Sequence, residues 1–326
     1  MTPHTGRASL DCPPLFLAPM AGVTNTVFRR ICRQMGADVL TSEFVSAEGI
    51  LHRNSRTRCY LEFDESERPF GIQLFGAEPE RLAEAARVLV DWVAPDFVDL
   101  NFGCPVNKVV CKNGGSSLLR DCPLLGRVAG AVVRAVSPTP VTAKIRIGWD
   151  ERSINALETS RVLVEEGVCR LTVHGRTKSQ GYAGVADWDV IAAVAASVTI
   201  PVVGNGDIRS GEDAVRRWRS SGVAGLMIGR TAMSNPWIFS EVRAAFTGED
   251  FTQPSAAERW SLIRRHCVEE IAWRGDEAVA MRALRARLMA YTRGMPGGPR
   301  LRERLARVGN LSELDDIVAA ADAAGV

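Results

Sequence analysis

No stretch of this 326-residue sequence approaches the ~18 consecutive apolar residues of a membrane helix, so no membrane association is expected. Met1 to Asp11 contain no apolar h-region, so no secretion signal is expected there. The eight cysteines (Cys12, Cys32, Cys59, Cys104, Cys111, Cys122, Cys169 and Cys267) are scattered, and none forms a Cys-x-x-Cys pair. In a chain far longer than a disulfide scaffold, this pattern implies reduced thiols and a cytoplasmic setting. No close pair of thiols is matched by a pair of histidines, which argues against a zinc site. No Gly-x-Gly-x-x-Gly follows the first apolar run, so a Rossmann dinucleotide site is not indicated. Low-complexity tracts and sequence repeats are absent as well.

What is present is a rhythm of short apolar runs, each followed by a polar or glycine-rich turn and then a helical pattern. The runs are Leu15-Phe16-Leu17-Ala18, Val39-Leu40-Thr41, Phe70-Gly71-Ile72-Gln73-Leu74, Phe97-Val98-Asp99-Leu100-Asn101, Val141 to Arg146, Arg170-Leu171-Thr172-Val173, Ile200-Pro201-Val202-Val203 and Gly225-Leu226-Met227-Ile228. Eight strands alternating with helices predict an α/β chain folded as a (β/α)8 TIM barrel, which typically needs about 250 residues. A doubly wound sheet is the alternative. With 46% hydrophobic residues the chain can bury a large core. Around Thr247-Gly248-Glu249-Asp250 the alternation stops, and from Ser255 onward the pattern is helical. The expected division is a barrel over 1–246 and a C-terminal all-helical domain over 247–326.

In such a barrel the active site lies at the C-terminal ends of the strands. The polar residues there are Gln73, Asn101, Cys104, Lys144, His174, Arg176, Asn205 and Asp207. Polar groups inside or just after apolar strands are costly unless they are partnered or functional. Cys104 stands out because Gly103 and Pro105 break the strand on either side of it and should hold the thiol in one place. Alone, it could equally be a buried structural cysteine. Lys144 could point into the barrel or snorkel from its mouth. The turns Gly204-Asn205-Gly206-Asp207 and Gly229-Arg230 fall where barrels commonly bind phosphate. Glycine lets backbone N–H groups approach an anion, a following helix N-terminus adds its dipole, and Arg230 could add a charge-assisted bond. Asp207 is expected to cap that helix. A Cys104–His174 nucleophile pair finds no oxyanion or third-member signature to support it.

The formal charge of +2 is unevenly spread. Residues 259–307 carry twelve arginines, no lysine and five acids, with Trp260, Trp273 and Tyr291 interleaved. Arginine-rich helices with aromatics suit a phosphate backbone, although a solvated helical face would have the same composition.

Taken together, Ala18-Pro19-Met20-Ala21-Gly22-Val23-Thr24, Leu100-Asn101-Phe102-Gly103-Cys104-Pro105, Lys144-Ile145-Arg146, His174-Gly175-Arg176-Thr177, Asn205-Gly206-Asp207-Ile208 and Met227-Ile228-Gly229-Arg230 resemble the tRNA-dihydrouridine synthase family. Pro236-Trp237-Ile238-Phe239 and Tyr291-Thr292-Arg293-Gly294 look most like its bacterial B-type branch. The resemblance implies a cytoplasmic, monomeric, metal-free oxidoreductase with bound FMN, reduced by NADPH, acting on a D-loop uridine of tRNA. By that analogy Gln73, Lys144 and His174 contact the flavin ring, and Asn205, Gly206, Gly229 and Arg230 hold its phosphate. Pro19, Met20 and Asp207 complete the cofactor cleft, Asn101 faces the uracil, and Arg176 lies near flavin or RNA. Arg282, Arg285 and Arg293 are the candidates for RNA contact on the helical domain. Hydride passes from flavin N5 to C6, and an acid must protonate C5. Cys104 suits that role, since an ordinary thiol, with a pKa of about 8.5, is mostly protonated at neutral pH. In the loop that follows, Cys111 is an extra thiol, and Lys108 and Lys112 could reach substrate phosphates. Two rivals remain: an FMN barrel reductase of a small molecule, of dihydroorotate or enoate type, and a non-catalytic RNA-binding protein on a barrel scaffold.

Overall fold

The computed structural model describes residues 12–53, 55–105, 114–295 and 297–323. Cys111, Lys108 and Lys112 lie outside the described residues. The expected strands form one parallel sheet: β1 (Leu15–Leu17), β2 (Leu40–Thr41), β3 (Val45–Ser46), β4 (Phe70–Phe75), β5 (Phe97–Phe102), β6 (Val141–Arg146), β7 (Arg170–His174), β8 (Val202–Asn205) and β9 (Gly225–Ile228). Its order is β1-β9-β8-β7-β6-β5-β4-β2. The ends meet at a parallel bridge between Phe16 and Val39, where Leu17 N–H donates to the Val39 carbonyl at 3.1 Å. The result is the (β/α)8 barrel.

Two details depart from the expected strands. The second barrel position is split, with β2 and β3 both pairing with β4 on either side of Ser42 and Glu43. The eighth strand from the split count, β8, begins at Val202 because Pro201 has no N–H to give the ladder.

Strand residues alternate between the barrel interior and the helical coat. Phe16, Ala18, Val39, Phe97, Val203 and Met227 form an apolar cluster inside the barrel. The Arg170 guanidinium lies over the rings of Phe16 and Phe97, at 5.0 and 4.6 Å. Residues on the other strand face, such as Leu15, Ile72, Leu100 and Ile145, join the larger core beneath the helices. The helices of this coat include α1 (Thr26–Gln34), α2 (Ala47–Leu51), α3 (Ser55–Leu61), α4 (Pro79–Val93), α5 (Cys122–Val136), α6 (Ala156–Glu165), α7 (Trp188–Ser197), α8 (Gly211–Ser221), α9 (Arg230–Ser234) and α10 (Ile238–Thr247).

Among the described residues four further helices follow: α11 (Ala256–Arg274), α12 (Glu277–Tyr291), α13 (Gly298–Leu305) and α14 (Leu311–Ala323). A reciprocal Ser255–Glu258 capping box starts α11, and Gly275, at φ +71°, ends it in the left-handed region. Helix α11 packs on α1, and α12 on α9. Polar ties hold this junction. Asn25, which caps α1, donates to both carboxylate oxygens of Glu270, and Arg274 closes on the same carboxylate at 2.7 Å. Arg287 stacks over Phe28 at 4.2 Å and donates to the Met233 carbonyl at 3.2 Å. Among the described residues no helix is long and apolar enough to cross a membrane.

Candidate active site

Strand register brings the polar residues together. Gln73 lies beside Asp99 across β4 and β5, Asp99 beside Thr142 across β5 and β6, and Asn101 beside Lys144. Asp99 and Asn101 on β5, and Thr142 and Lys144 on β6, are each two residues apart and so share one strand face, which Gln73 joins through its bond to Asp99. Gln73, Asn101 and Lys144 line a cavity of about 860 Å³ at the C-terminal ends of the strands, with Asp99 and Thr142 beneath it. Its wall includes Pro19, Met20, Gln73, Asn101, Cys104, Lys144, His174, Asn205, Gly206, Asp207, Gly229 and Arg230. Two other hollows, of about 950 and 370 Å³, lie away from this rim: one between α8 and α10, one between the turn after β1 and the C-terminal helices.

Cys104 is 7% exposed and held through its backbone. Its N–H donates to Asn101 Oδ1 at 2.8 Å, and the Gly103 N–H joins it at 3.1 Å. Its carbonyl accepts from the Ser116 hydroxyl at 2.7 Å. Asn101 donates onward to Gln73 Oε1 at 2.7 Å. Both ends of that amide are engaged, so Asn101 supports the cysteine turn as well as lining the cavity.

Lys144 points into the barrel, as one of its two expected orientations required, and donates to Asn205 Oδ1 at 3.1 Å. Asn205 in turn donates to the Met227 carbonyl at 2.8 Å. Burial, reinforced by Arg146 and opposed by Asp99 and Cys104, pulls the Lys144 ammonium down to about 7. Burial, together with the cations Lys144, Arg146, Arg176 and Arg230, holds His174 well below its ordinary value. Its imidazole is therefore neutral at physiological pH.

The two glycine turns line the same cavity. Gly206 sits at φ +134°, and a Cβ there would meet the Ala186 Cβ at 2.5 Å, so only glycine fits. A Cβ on Gly229 would stand 3.2 Å from Ala18 and 3.6 Å from the Met20 sulfur, filling the space beside the turn. The helix expected to support the first turn does not do so. Its start, at Gly211, is capped by Ser210 and carries Glu212 and Asp213, and the Gly211 N–H donates to Glu241. Nor does Asp207 cap it. That carboxylate accepts from the Ala186 N–H at 2.7 Å, from Arg176 at 2.8 Å and from Arg230 at 3.1 Å. Burial alone would raise its pKa, but the Ala186 and Arg176 bonds outweigh that and hold it below the usual carboxylate range. Asp207, at φ +49°, has its carboxylate taken up by Arg176 and the Ala186 N–H, which follow β7, and is not left for the helix start.

Arg176 is the expected ligand contact that does not line the cavity. At 1% exposure it is enclosed, donating to Asp207 and to the carbonyls of Ala183 and Gly184. Of the tail candidates, Arg293 reaches the cavity wall together with Ala290. Arg282 is exposed on α12, and Arg285 is engaged with the carbonyls of Val308 and Arg307 at 2.9 Å.

Three site residues escaped the sequence reading. Asp99 is buried beneath the cavity, bonded to Gln73 and Thr142, and could have been found from its two-residue offset from Asn101. Arg146 shares a strand face with Lys144 and donates to the Gly103 carbonyl at 2.9 Å; burial lowers it to about 10. Tyr182, 59% exposed at the mouth, lies under Arg230 at 4.8 Å and beside His174. It sits on a loop with no periodic signal.

A family model described as dihydrouridine synthase matches residues 16–324. A probable tRNA-dihydrouridine synthase of Mycobacterium tuberculosis is 39% identical over 313 residues, spanning 93% of this chain and 80% of the relative. A tRNA-dihydrouridine synthase B of Pseudomonas aeruginosa is 39% identical over 295 residues, covering 90% and 88%. Among solved structures, TcOYE with pHBA superimposes with a TM-score of 0.52 at 12% identity, over 75% of this chain and 91% of that one, a likeness of fold. With the family match running from β1 through the last helix, and relatives this similar over nine-tenths of the sequence, the chain belongs to the dihydrouridine synthase family.

Proposed function

We propose that this protein is an FMN-dependent tRNA-dihydrouridine synthase that reduces the C5–C6 bond of a D-loop uridine, with NADPH as reductant. The observation that carries the reading is the pairing, in one cavity, of a backbone-clamped cysteine with two glycine turns and a lysine–histidine wall. The cavity volume of about 860 Å³ suits a cofactor. Gly206 and Gly229 leave room for backbone to approach a phosphate, and Arg230 brings a cation to the same turn. Gln73, Lys144 and His174 would face the flavin ring, beside Pro19 and Met20. FMN, when bound, would supply the hydride that adds to C6.

The chain's own contribution is the proton. Cys104 would transfer its S–H proton to C5, leaving a thiolate that the Arg146 guanidinium, and Lys144 when protonated, stabilise until solvent returns a proton to the sulfur. Asn101 keeps one amide hydrogen for the uracil. His174, being neutral, can hydrogen-bond without adding charge. Extruding the uridine costs a few kcal/mol, less in a loop than in a duplex. Residues 247–326 would offset that as the RNA-binding unit, with Arg282, Arg285 and Arg293 as its basic contacts and Arg293 at the cavity rim. That rim contact gives the helices a role at the mouth that a small-molecule reductase would not need. The reading extends to a monomer acting in the cytoplasm without metal.

Purified protein should be yellow with bound FMN. Cys104→Ala should retain the flavin and its reduction by NADPH while losing dihydrouridine formation on tRNA. Undiminished product in that variant would remove Cys104 from the chemistry, and a colourless protein that still bound tRNA would favour a binding role.

A further inference from the structure

Beneath the cavity lies a chain of buried hydrogen bonds with one direction. The Cys104 and Gly103 N–H groups donate to Asn101 Oδ1, at 2.8 and 3.1 Å. Asn101 Nδ2 donates to Gln73 Oε1 at 2.7 Å, and Gln73 Nε2 donates to Asp99 Oδ2 at 2.6 Å. From the far side, the Thr142 hydroxyl donates to Asp99 Oδ1 at 2.6 Å. An amide can present either end to a neighbour, so its orientation is set by partners that cannot switch. Here the backbone N–H groups can only donate, which fixes Asn101 and through it Gln73, so Gln73 Nε2 faces Asp99. Burial raises the Asp99 pKa, and the Thr142 and Gln73 bonds oppose that rise. Every donor in the chain therefore points toward Asp99. Register explains the placement, since Gln73, Asp99 and Thr142 are direct neighbours on three adjacent strands. Asp99 is not part of the cavity wall.

We infer that Asp99 is a positioning residue for Cys104: it anchors Gln73, which orients Asn101, which fixes the backbone on which the thiol sits. A carboxylate that merely filled the barrel floor would have the same burial but no directional path to one thiol. Its catalytic meaning rests on the proposed role of Cys104, whereas the path itself does not.

The test is alkylation of the purified protein by iodoacetamide, read cysteine by cysteine by peptide mass spectrometry. Cys122, buried on α5, serves as the internal reference for general loosening. In Asp99→Leu, Cys104 should label about tenfold faster while Cys122 stays within about twofold, because local opening is released at one turn only. Asp99→Asn should return Cys104 to within about threefold of the parent, since the amide oxygen still accepts from Gln73 while its nitrogen turns to the Thr142 hydroxyl. Dihydrouridine formation should follow the same order, through kcat rather than KM for tRNA. Unchanged Cys104 labelling in Asp99→Leu, Cys104 and Cys122 rising together, or Asp99→Asn behaving like leucine would each overturn the inference. Should Asp99→Leu fail to fold, Gln73→Leu cuts the same path nearer the thiol, and unchanged Cys104 labelling there overturns it equally. Faster labelling with undiminished product would keep the path and remove the thiol from the reaction, so the two failures are distinguishable.

Discussion

The barrel mouth and the C-terminal helices are both rich in charge, yet they use it in opposite ways. In and around the mouth several polar groups are tied to specific partners: Lys144 to Asn205, Asn101 to Gln73 and Cys104, Arg176 and Arg230 to Asp207. On the helices much of the arginine excess is consumed locally. Arg264 pairs with Asp315, Arg274 with Glu270 and Arg307 with Glu303, while Arg285 binds carbonyls. The difference teaches that the mouth depends on the identity and direction of single groups, and the helices on a sum. Substitutions should be near all-or-none in the first region and graded in the second.

The largest contrast is between Cys104→Ala and any single tail arginine. Loss of a proton donor typically costs roughly 10²–10⁴-fold in rate, and dihydrouridine formation at saturating tRNA should fall by that much. Single-turnover assays on pre-reduced protein measure it. A fall no larger than that of Arg282→Ala would erase the distinction between the regions.

Next in size is Arg176→Met. It leaves Asp207 enclosed without its principal cation, and breaking a buried pair this way costs about 3–5 kcal/mol. Chemical denaturation of the variant checks it. A much smaller loss would mean that Arg230 and Arg209, at 3.1 and 3.9 Å from the same oxygen, suffice to hold the carboxylate.

How legible these regions were follows from the same contrast. Alternation along β5 and β6 made Asn101, Lys144 and the strand-end cysteine readable, because inward residues recur every second position. Asp99 was hidden by its apolar flanks Val98 and Leu100, which made the run look like plain core. The fate of Arg176 and Asp207 was not readable, since their partners Ala183, Gly184 and Ala186 come from a loop folding back over β7. In the tail the arginine count was plain, but not which arginines were already paired. Arg264 and Asp315 are 51 residues apart and meet only when α11 and α14 pack.

A moderate effect distinguishes the regions by pH. Lys144 titrates near 7 in the fold against an ordinary 10.5, so between those values the unfolded chain binds more protons than the folded one. Stability should therefore rise with pH across that window, and Lys144→Met should remove the rise. Burial raises the Cys32 and Cys267 thiols, which opposes the trend above about pH 9, so the parent-minus-variant difference is the quantity to follow. An anionic ligand beside Lys144 should raise its pKa, so FMN binding above pH 7 should take up a proton, measurable by calorimetry in two buffers. No buffer dependence would place Lys144 away from the ligand.

The smallest effect separates two neighbours within the helices. Arg282 is exposed and bonds only the carbonyl of its own helix, among the described residues, so its charge is available to a phosphate. Its removal should weaken tRNA binding modestly and flatten the dependence of log K on log salt by about 0.7–0.9. Arg285→Ala should also lower stability, because the part-buried Val308 carbonyl loses its donor, a cost of about 1–3 kcal/mol, while the exposed Arg307 carbonyl can turn to water. Arg282→Ala should leave stability unchanged within about 0.5 kcal/mol. Filter binding across a salt series, with unfolding measured on the same preparations, separates the two. Equal salt slopes for parent and Arg282→Ala would mean that this face of α12 does not meet RNA, and that the tail's charge serves its own packing.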